Sequence, residues 1–169
     1  IYPDHPFLFT ENPIPCWGHR NPEIEDNKLI THSDMAHAIE SIMVTNCIKL
    51  ASNDSCTILD IGSGMGGLAE RLHYFGENIA KIILVDIPLN LVTAYYYLKR
   101  GLTNKSKISI ASSYEDAIEG LTSKEIEICL IPTCYFPCLK DNISIDILSN
   151  FHSFSEMHID TVNYYLRNL

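Results

Sequence analysis

CTILDIGSGMGGLAERLHYFGENIAKIILVDIPLN, residues 56–90, decides the fold. It opens on CTILDI, a short apolar run bounded by turn residues, which predicts a strand buried on both faces. Four glycines follow within six positions, then GLAERLHYFG, a helix closing near Gly76. KIILVDI is a second buried strand, and PLNLVTAYYYLKRG a helix closing at Gly101. Beyond the quoted stretch the alternation continues. KISIAS (107–112) predicts a strand, SYEDAIEGL (113–121) a short helix, EIEICLIP (125–132) a strand, and SIDILSNF (144–151) a fifth, followed by a helix to the end. Strands alternating with helices predict an α/β fold with a doubly wound, mostly parallel sheet.

In such sheets ligands bind beyond the carboxyl ends of strands, where strand order reverses, so Ile58 to Leu72 is the predicted ligand loop. Glycine serves there because the chain turns tightly, or because a ligand approaches the backbone with no Cβ in the way. The spacing fits two cofactor classes. Gly62, Gly64 and Gly67 give the dinucleotide pattern GxGxxG, while Gly62, Gly64 and Gly66 give GxGxG. The second strand ends in Asp86, an acid that ribose recognition uses in either class. Asp60 separates the two. A pyrophosphate beside that strand-end carboxylate meets like charge in a poorly solvated place. S-adenosylmethionine instead brings an ammonium and a sulfonium. A nicotinamide-dependent oxidoreductase is the disfavoured alternative, no Tyr-x-x-x-Lys relay being expected, and a non-catalytic cofactor-binding remnant is a third reading. A phosphate-binding Walker loop is excluded because no Gly-Lys-Ser/Thr follows.

The same residues carry a resemblance. LDIGSGMGGLA with VDIPLNL resembles the first two motifs of class I S-adenosylmethionine-dependent methyltransferases. VDIPLNLVTAYYYLKRG, CLIPTCYF and DILSNFHSFSEMHIDTVNYYL narrow it to similarity with the sugar O-methyltransferase family, over roughly residues 55–169. The resemblance implies a Rossmann-like domain that transfers a methyl group to a hydroxyl of a sugar or saccharide-like acceptor. It implies that Asp60 and the loop Gly62, Ser63, Gly64 and Gly66 line the methionine end of the cofactor, that Asp86 accepts from both ribose hydroxyls, and that Ile87 packs on adenine. Either Ser112 and Ser113 or the Pro132–Thr133 turn borders the adenine, because two strand candidates occupy an interval where the family core has one.

A sugar hydroxyl is a poor nucleophile at neutral pH, so a base is expected beside the methyl group. The stretch after DILSN offers Asn150, His152, Ser153, Glu156 and His158. His152 is the candidate base, since imidazole titrates near neutrality. Glu156, three residues after Ser153, either closes a capping box or meets the substrate. Glu156 and His158 are badly spaced for two metal ligands on one helix face, so no metal is expected. Tyr95, Tyr96 and Tyr97 cannot share one helix face, so some pack while another borders the site.

Composition narrows the partners. The chain has 169 residues, 46% hydrophobic, with 21 acids against 12 bases and a net charge of −9. That length fits one domain with a real core, and that charge, without a basic cluster, argues against nucleic acid. Six cysteines (16, 47, 56, 129, 134 and 138) form no CxxC pair and are expected as free structural thiols, consistent with a cytoplasmic setting. No membrane span or signal peptide is evident.

Three segments are expected. Residues 1–30, with five prolines in the first 22 positions, form an extended arm or lid, in which Trp17 anchors the arm or stacks on a sugar ring. Residues 31–54 form a helix, capped by Thr31 or Ser33, that packs on the core through Met35, Ile39, Ile42, Met43 and Leu50. Residues 55–169 form the cofactor domain. Because the chain opens on Ile1 and stops within a helical pattern, that domain is expected to be C-terminally incomplete, with a sheet edge left exposed or covered by a partner.

Overall fold

The computed structural model describes residues 23–25, 28–30, 32–51, 55–102 and 107–169. The expectations that rest on residues 1–22, including Trp17 and Cys16, and on Thr31 lie outside them. Two short strands, β1 (Glu23–Glu25) and β2 (Lys28–Ile30), pair antiparallel where only an extended arm was expected. Helix α1 (His32–Ala51) follows.

The core is a five-stranded, all-parallel sheet of β3 (Cys56–Ile61), β4 (Ile79–Asp86), β5 (Ile108–Ile110), β6 (Ile128–Pro132) and β7 (Ile147–Ser149), in the order β5-β6-β4-β3-β7. The connecting helices are α2 (Gly67–Phe75), α3 (Pro88–Gly101) and α4 (Tyr114–Thr122). A 3₁₀ segment, Thr133–Cys138, and α5 (Leu139–Asn142) link β6 to β7, and α6 (Ser153–Glu156) and α7 (Ile159–Arg167) close the chain. The doubly wound α/β arrangement expected from the alternation is therefore present, compatible with a Rossmann-like fold.

Side chains alternate across the strands, and each parity builds its own core. Ile58, Ile82, Leu84, Ile128 and Leu130 meet α1, α2 and α3 through Val44, Ile48, Leu68, Leu72, Leu91 and Leu98. Leu59, Ile61, Ile83, Val85 and Ile131 meet α4, the 3₁₀ segment and α7 through Leu121, Phe136 and Tyr165. Burial on both faces is what makes these strands continuous apolar runs.

Three expectations need correction. Helix α1 does pack on the core, but through Ala38, Ile42, Val44 and Ile48, while Met35, Ile39, Met43 and Leu50 are exposed. Both stripes recur at helical spacing, and the buried one carries Asp34, Glu40, Ser41 and Thr45 as well. Cys134 is exposed rather than buried, and Cys47 is exposed too, whereas Cys56, Cys129 and Cys138 are buried; all five are free thiols. Finally, the helical pattern after β7 is divided, α6 ending at Glu156 and α7 starting at Ile159.

The sheet has two short edge strands. β7 pairs with β3 on one side, and Leu148 on it is 39% exposed. A cavity of about 400 Å³ lies at the amino end of β7, lined by Leu139, Ile143, Leu148 and Leu169 among others. No helix among the described residues is long and apolar enough to cross a membrane.

One buried charge locks a helix to the sheet. Lys81, at the start of the buried part of β4 and 7% exposed, donates from Nζ to the carbonyls of Gly120, Leu121 and Ser123 at 2.6, 2.7 and 2.8 Å. These are the free acceptors at the end of α4, where a cation also meets the negative end of the helix dipole. Lys81→Met is expected to destabilise the fold by about 3 kcal/mol, since charge-assisted bonds are lost and buried carbonyls stay unpaired. Chemical denaturation measures it; an unchanged midpoint would contradict this role.

Candidate functional site

The sheet order places a switch point between β3 and β7. From β3 the chain moves through β4 towards β5, whereas β7 lies on the opposite side of β3. The connections leaving the carboxyl ends of β3 and β7 diverge there and open a crevice. Asp60 and Ser149 are register partners across it.

The glycine loop follows β3 and is shaped by three residues with positive φ, Gly62 (74°), Gly64 (54°) and Gly66 (80°). The Gly62 N–H donates to the Val85 carbonyl at 2.7 Å, and the Gly66 N–H to the Ser63 carbonyl at 3.0 Å, so the loop is a tight turn between β3 and α2. The glycines differ in what surrounds them. A Cβ on Gly62 would stand 1.9 Å from Ser153 Oγ, whereas a Cβ on Gly64 would meet nothing within 4 Å. Gly66 packs on Leu98 and Gly67 on His37. Gly64 is therefore the bare backbone that faces open space. Ser63 Oγ is buried with no hydrogen-bond partner among the described residues.

Asp60 is 5% exposed. Burial pushes its carboxyl up to about 7; the Ser149 hydroxyl, which donates to Oδ1 at 2.9 Å, pulls the other way, and the charges of Glu40 and Asp86 push further upward. A carboxyl in this state gains most from a cation. Glu40 comes from α1, is 7% exposed, and has its own carboxyl raised by burial, with His152 opposing.

Asp86 ends β4 and closes the loop. Its Oδ2 accepts the Gly64 N–H at 2.7 Å, and its Oδ1 accepts the Ile87 N–H at 2.7 Å and Asn90 Nδ2 at 3.0 Å. Ile87 is 53% exposed beside it, a hydrophobic surface at the mouth of the crevice. The two candidates for the adenine border fall in different places. Pro132 is in register with Asp86, so the Pro132–Thr133 turn adjoins β4. Ser112 follows the outermost strand, β5, with β6 between it and β4, and its hydroxyl donates to Asp116. Ser113 accepts from the Asp116 N–H and caps α4.

The segment after β7 is fastened across the crevice. Asn150 Nδ2 donates to the Ile61 carbonyl at 2.6 Å and also to Ser153 Oγ, and its Oδ1 accepts the Phe154 N–H at 3.0 Å. Both ends of this amide are thus engaged in holding the loop. Between these fixed points His152 has φ 73° and ψ −39°, a conformation rare for a residue with a side chain. Its ring is 82% exposed, with Nε2 3.6 Å from Glu40 Oε1. Strain of this kind persists when the surroundings over-determine it, as the Asn150 and Ser153 bonds do here.

The remaining candidates are more peripheral. Glu156 is exposed at the end of α6, and the N-cap of that helix is His152, so the capping box expected of Ser153 and Glu156 is not formed. His158 instead caps α7, accepting from the Asp160 N–H. Tyr97 is buried and donates to Glu70, Tyr95 packs at the edge of the core, and Tyr96 is exposed under Arg100. Tyr95 and Lys99 do stand at the spacing of a tyrosine–lysine proton relay for hydride transfer. They lie on α3 seven and eleven residues past its first residue, with Lys99 Nζ over the Tyr95 ring at 5.3 Å, and Leu98 between them packs on Gly66 of the loop. No group of three or more His, Cys, Asp or Glu among the described residues is arranged to hold a metal ion.

Two residues of this arrangement were not singled out from sequence, Glu40 and Ser149. Ser149 had a signal in its place at the end of the fifth apolar run. Glu40 had none, because nothing local connects position 40 with position 152. Set beside protein-family models, curated proteins and solved structures, the chain matches none of them.

Proposed function

We propose that the chain is an S-adenosylmethionine-dependent methyltransferase that methylates a hydroxyl of a sugar or saccharide-like acceptor in the cytoplasm. The observation that carries the reading is Asp60, a carboxyl buried at the switch point beside a second buried acid and in front of a bare glycine backbone. A diphosphate at this point meets two carboxylates; a cationic ligand relieves both. The motif resemblance around LDIGSGMGGLA, VDIPLNL and LSNFHSFSEM supports the same reading.

When bound, the cofactor supplies a methyl group activated on a positively charged sulfur. The chain binds, orients and moves a proton. Asp60 meets the cationic end, and Gly64 admits close approach of the ligand to its backbone. Asp86 already accepts three N–H donors. A carboxylate has about four acceptor positions, so one remains, for one ribose hydroxyl rather than the two that the resemblance implies. The exposed ring of His152 takes the proton of the acceptor hydroxyl. Asn150 is a positioning residue, fixing the backbone on either side of His152. Exposed Glu156 is available to the acceptor's other hydroxyls.

Transfer of a labelled methyl group from S-adenosylmethionine to a panel of free sugars and glycosides tests this. Wild-type protein is expected to label a sugar, and His152→Ala to slow the labelling on the order of a hundredfold, the usual worth of a general base. Cofactor binding without transfer to any acceptor would leave a non-catalytic binding protein. Reduction of NAD or NADP in place of methyl transfer would make it an oxidoreductase.

A further inference from the structure

We propose that Glu40 is a second carboxylate of this site, which grips the primary ammonium of the ligand's amino-acid end together with Asp60, and that the His152 ring holds that place before the ligand arrives. This rests on the methyltransferase reading and adds a residue from outside the glycine-loop domain to it.

Three observations converge. Glu40 lies mid-way along α1 and is buried, yet the group facing it is an imidazole 3.6 Å away that is itself 82% exposed. A buried carboxylate without a firm partner is costly, and an exposed, weakly held ring is easily exchanged for a better one. Second, Glu40 acts on Asp60: its charge adds to the burial that raises the Asp60 carboxyl. The two acids thus lie near enough for their charges to repel, with no Lys or Arg among the described residues paired with either. Third, the region is already walled. Ser149 holds one oxygen of Asp60, Asn150 and Ser153 fix the loop bearing His152, and Gly64 faces open space.

An ammonium matches this better than a sulfonium does. It offers three N–H donors, and two carboxylates supply separate acceptors for them. When it takes Glu40, the His152 ring loses its partner and is released towards the acceptor side. Loading of the ligand and freeing of the base are then one event, and helix α1, which carries Glu40, becomes part of ligand recognition.

Titration calorimetry with two nucleosides tests this on the full chain. S-adenosylhomocysteine carries the ammonium; 5′-methylthioadenosine has the same adenosine and a thioether but no amino-acid end. Glu40→Gln is expected to weaken S-adenosylhomocysteine by about tenfold to a hundredfold, as loss of a charge-assisted bond does, while 5′-methylthioadenosine stays within about twofold. The retained 5′-methylthioadenosine affinity also shows that the variant is folded. Unchanged affinity for both nucleosides, or an equal loss of both, overturns the role of Glu40 while leaving the cofactor reading in place. Failure of wild-type protein to bind either nucleoside overturns both together.

Discussion

Asp60→Asn is expected to make the protein more stable and to weaken S-adenosylhomocysteine binding by about a hundredfold, the loss of one buried charge-assisted contact. The stability gain has a defined pH window. The Asp60 carboxyl is raised from 3.8 to about 7 in the folded chain, so below 3.8 both folded and unfolded states are protonated and the acid costs nothing. Between those values the unfolded chain has released its proton and the folded chain still holds it. Stability therefore falls as pH rises through this interval and levels off above 7. A shift of about three units at 1.36 kcal/mol each gives a penalty of about 4 kcal/mol above pH 7. Asparagine keeps an oxygen for the Ser149 hydroxyl and carries no charge, so the variant's advantage should be near zero at pH 4 and largest at pH 8. Denaturation midpoints at the two pH values measure this. An advantage that shrinks with rising pH would contradict the burial and charge account of Asp60.

The glycine loop provides the second large effect, through a contrast between neighbours. Gly62→Ala is expected to cost about 3 kcal/mol, because alanine is strained at φ 74° and its Cβ would stand 1.9 Å from Ser153 Oγ and 2.3 Å from Ser153 Cβ. The start of α6 must then shift, carrying Asn150 and His152 with it, so binding is lost along with stability. Gly64→Ala meets no protein atom within 4 Å and suffers only the backbone strain of φ 54°, about 1 kcal/mol. Its Cβ would occupy the space a ligand needs. That variant should fold and yet lose S-adenosylhomocysteine. Wild-type affinity in Gly64→Ala would show that the ligand approaches from elsewhere.

The parts of this molecule that sequence reveals are the local ones. β3, β4 and β6 are apolar on both faces, so composition alone marks them, and Gly76 and Gly101 lie where α2 and α3 end. Asp60, the glycine turn, Asp86 and Asn150 share one end of the sheet because each ends a strand or follows one. Non-local order is harder to read. β5 and β6 are both plausible neighbours of β4, and the position beside it goes to β6, which matches β4 over five residues from Ile82–Ile128 to Asp86–Pro132, whereas β5 is only three residues long. That pairing decides which turn adjoins Asp86. Helix α1 is ambiguous for a related reason: Met35, Ile39 and Met43 recur at helical spacing as regularly as Ala38, Ile42 and Ile48. The buried face is the one that also holds Asp34 and Glu40. Asp34 meets Arg71 of α2 there, and Glu40 faces the exposed ring of His152 from beyond β7.

The central claim is that a buried acid ahead of a bare turn selects an ammonium-bearing nucleoside over a diphosphate. Calorimetric titration of the full chain with S-adenosylhomocysteine and with NAD at pH 7, repeated in buffers of different ionisation enthalpy, tests it most directly. S-adenosylhomocysteine is expected to bind with release of about half a proton, because Asp60 is half protonated at pH 7 when free and ionises against the ammonium. NAD should give no heat of binding. Saturable binding of NAD with S-adenosylhomocysteine silent would contradict the account.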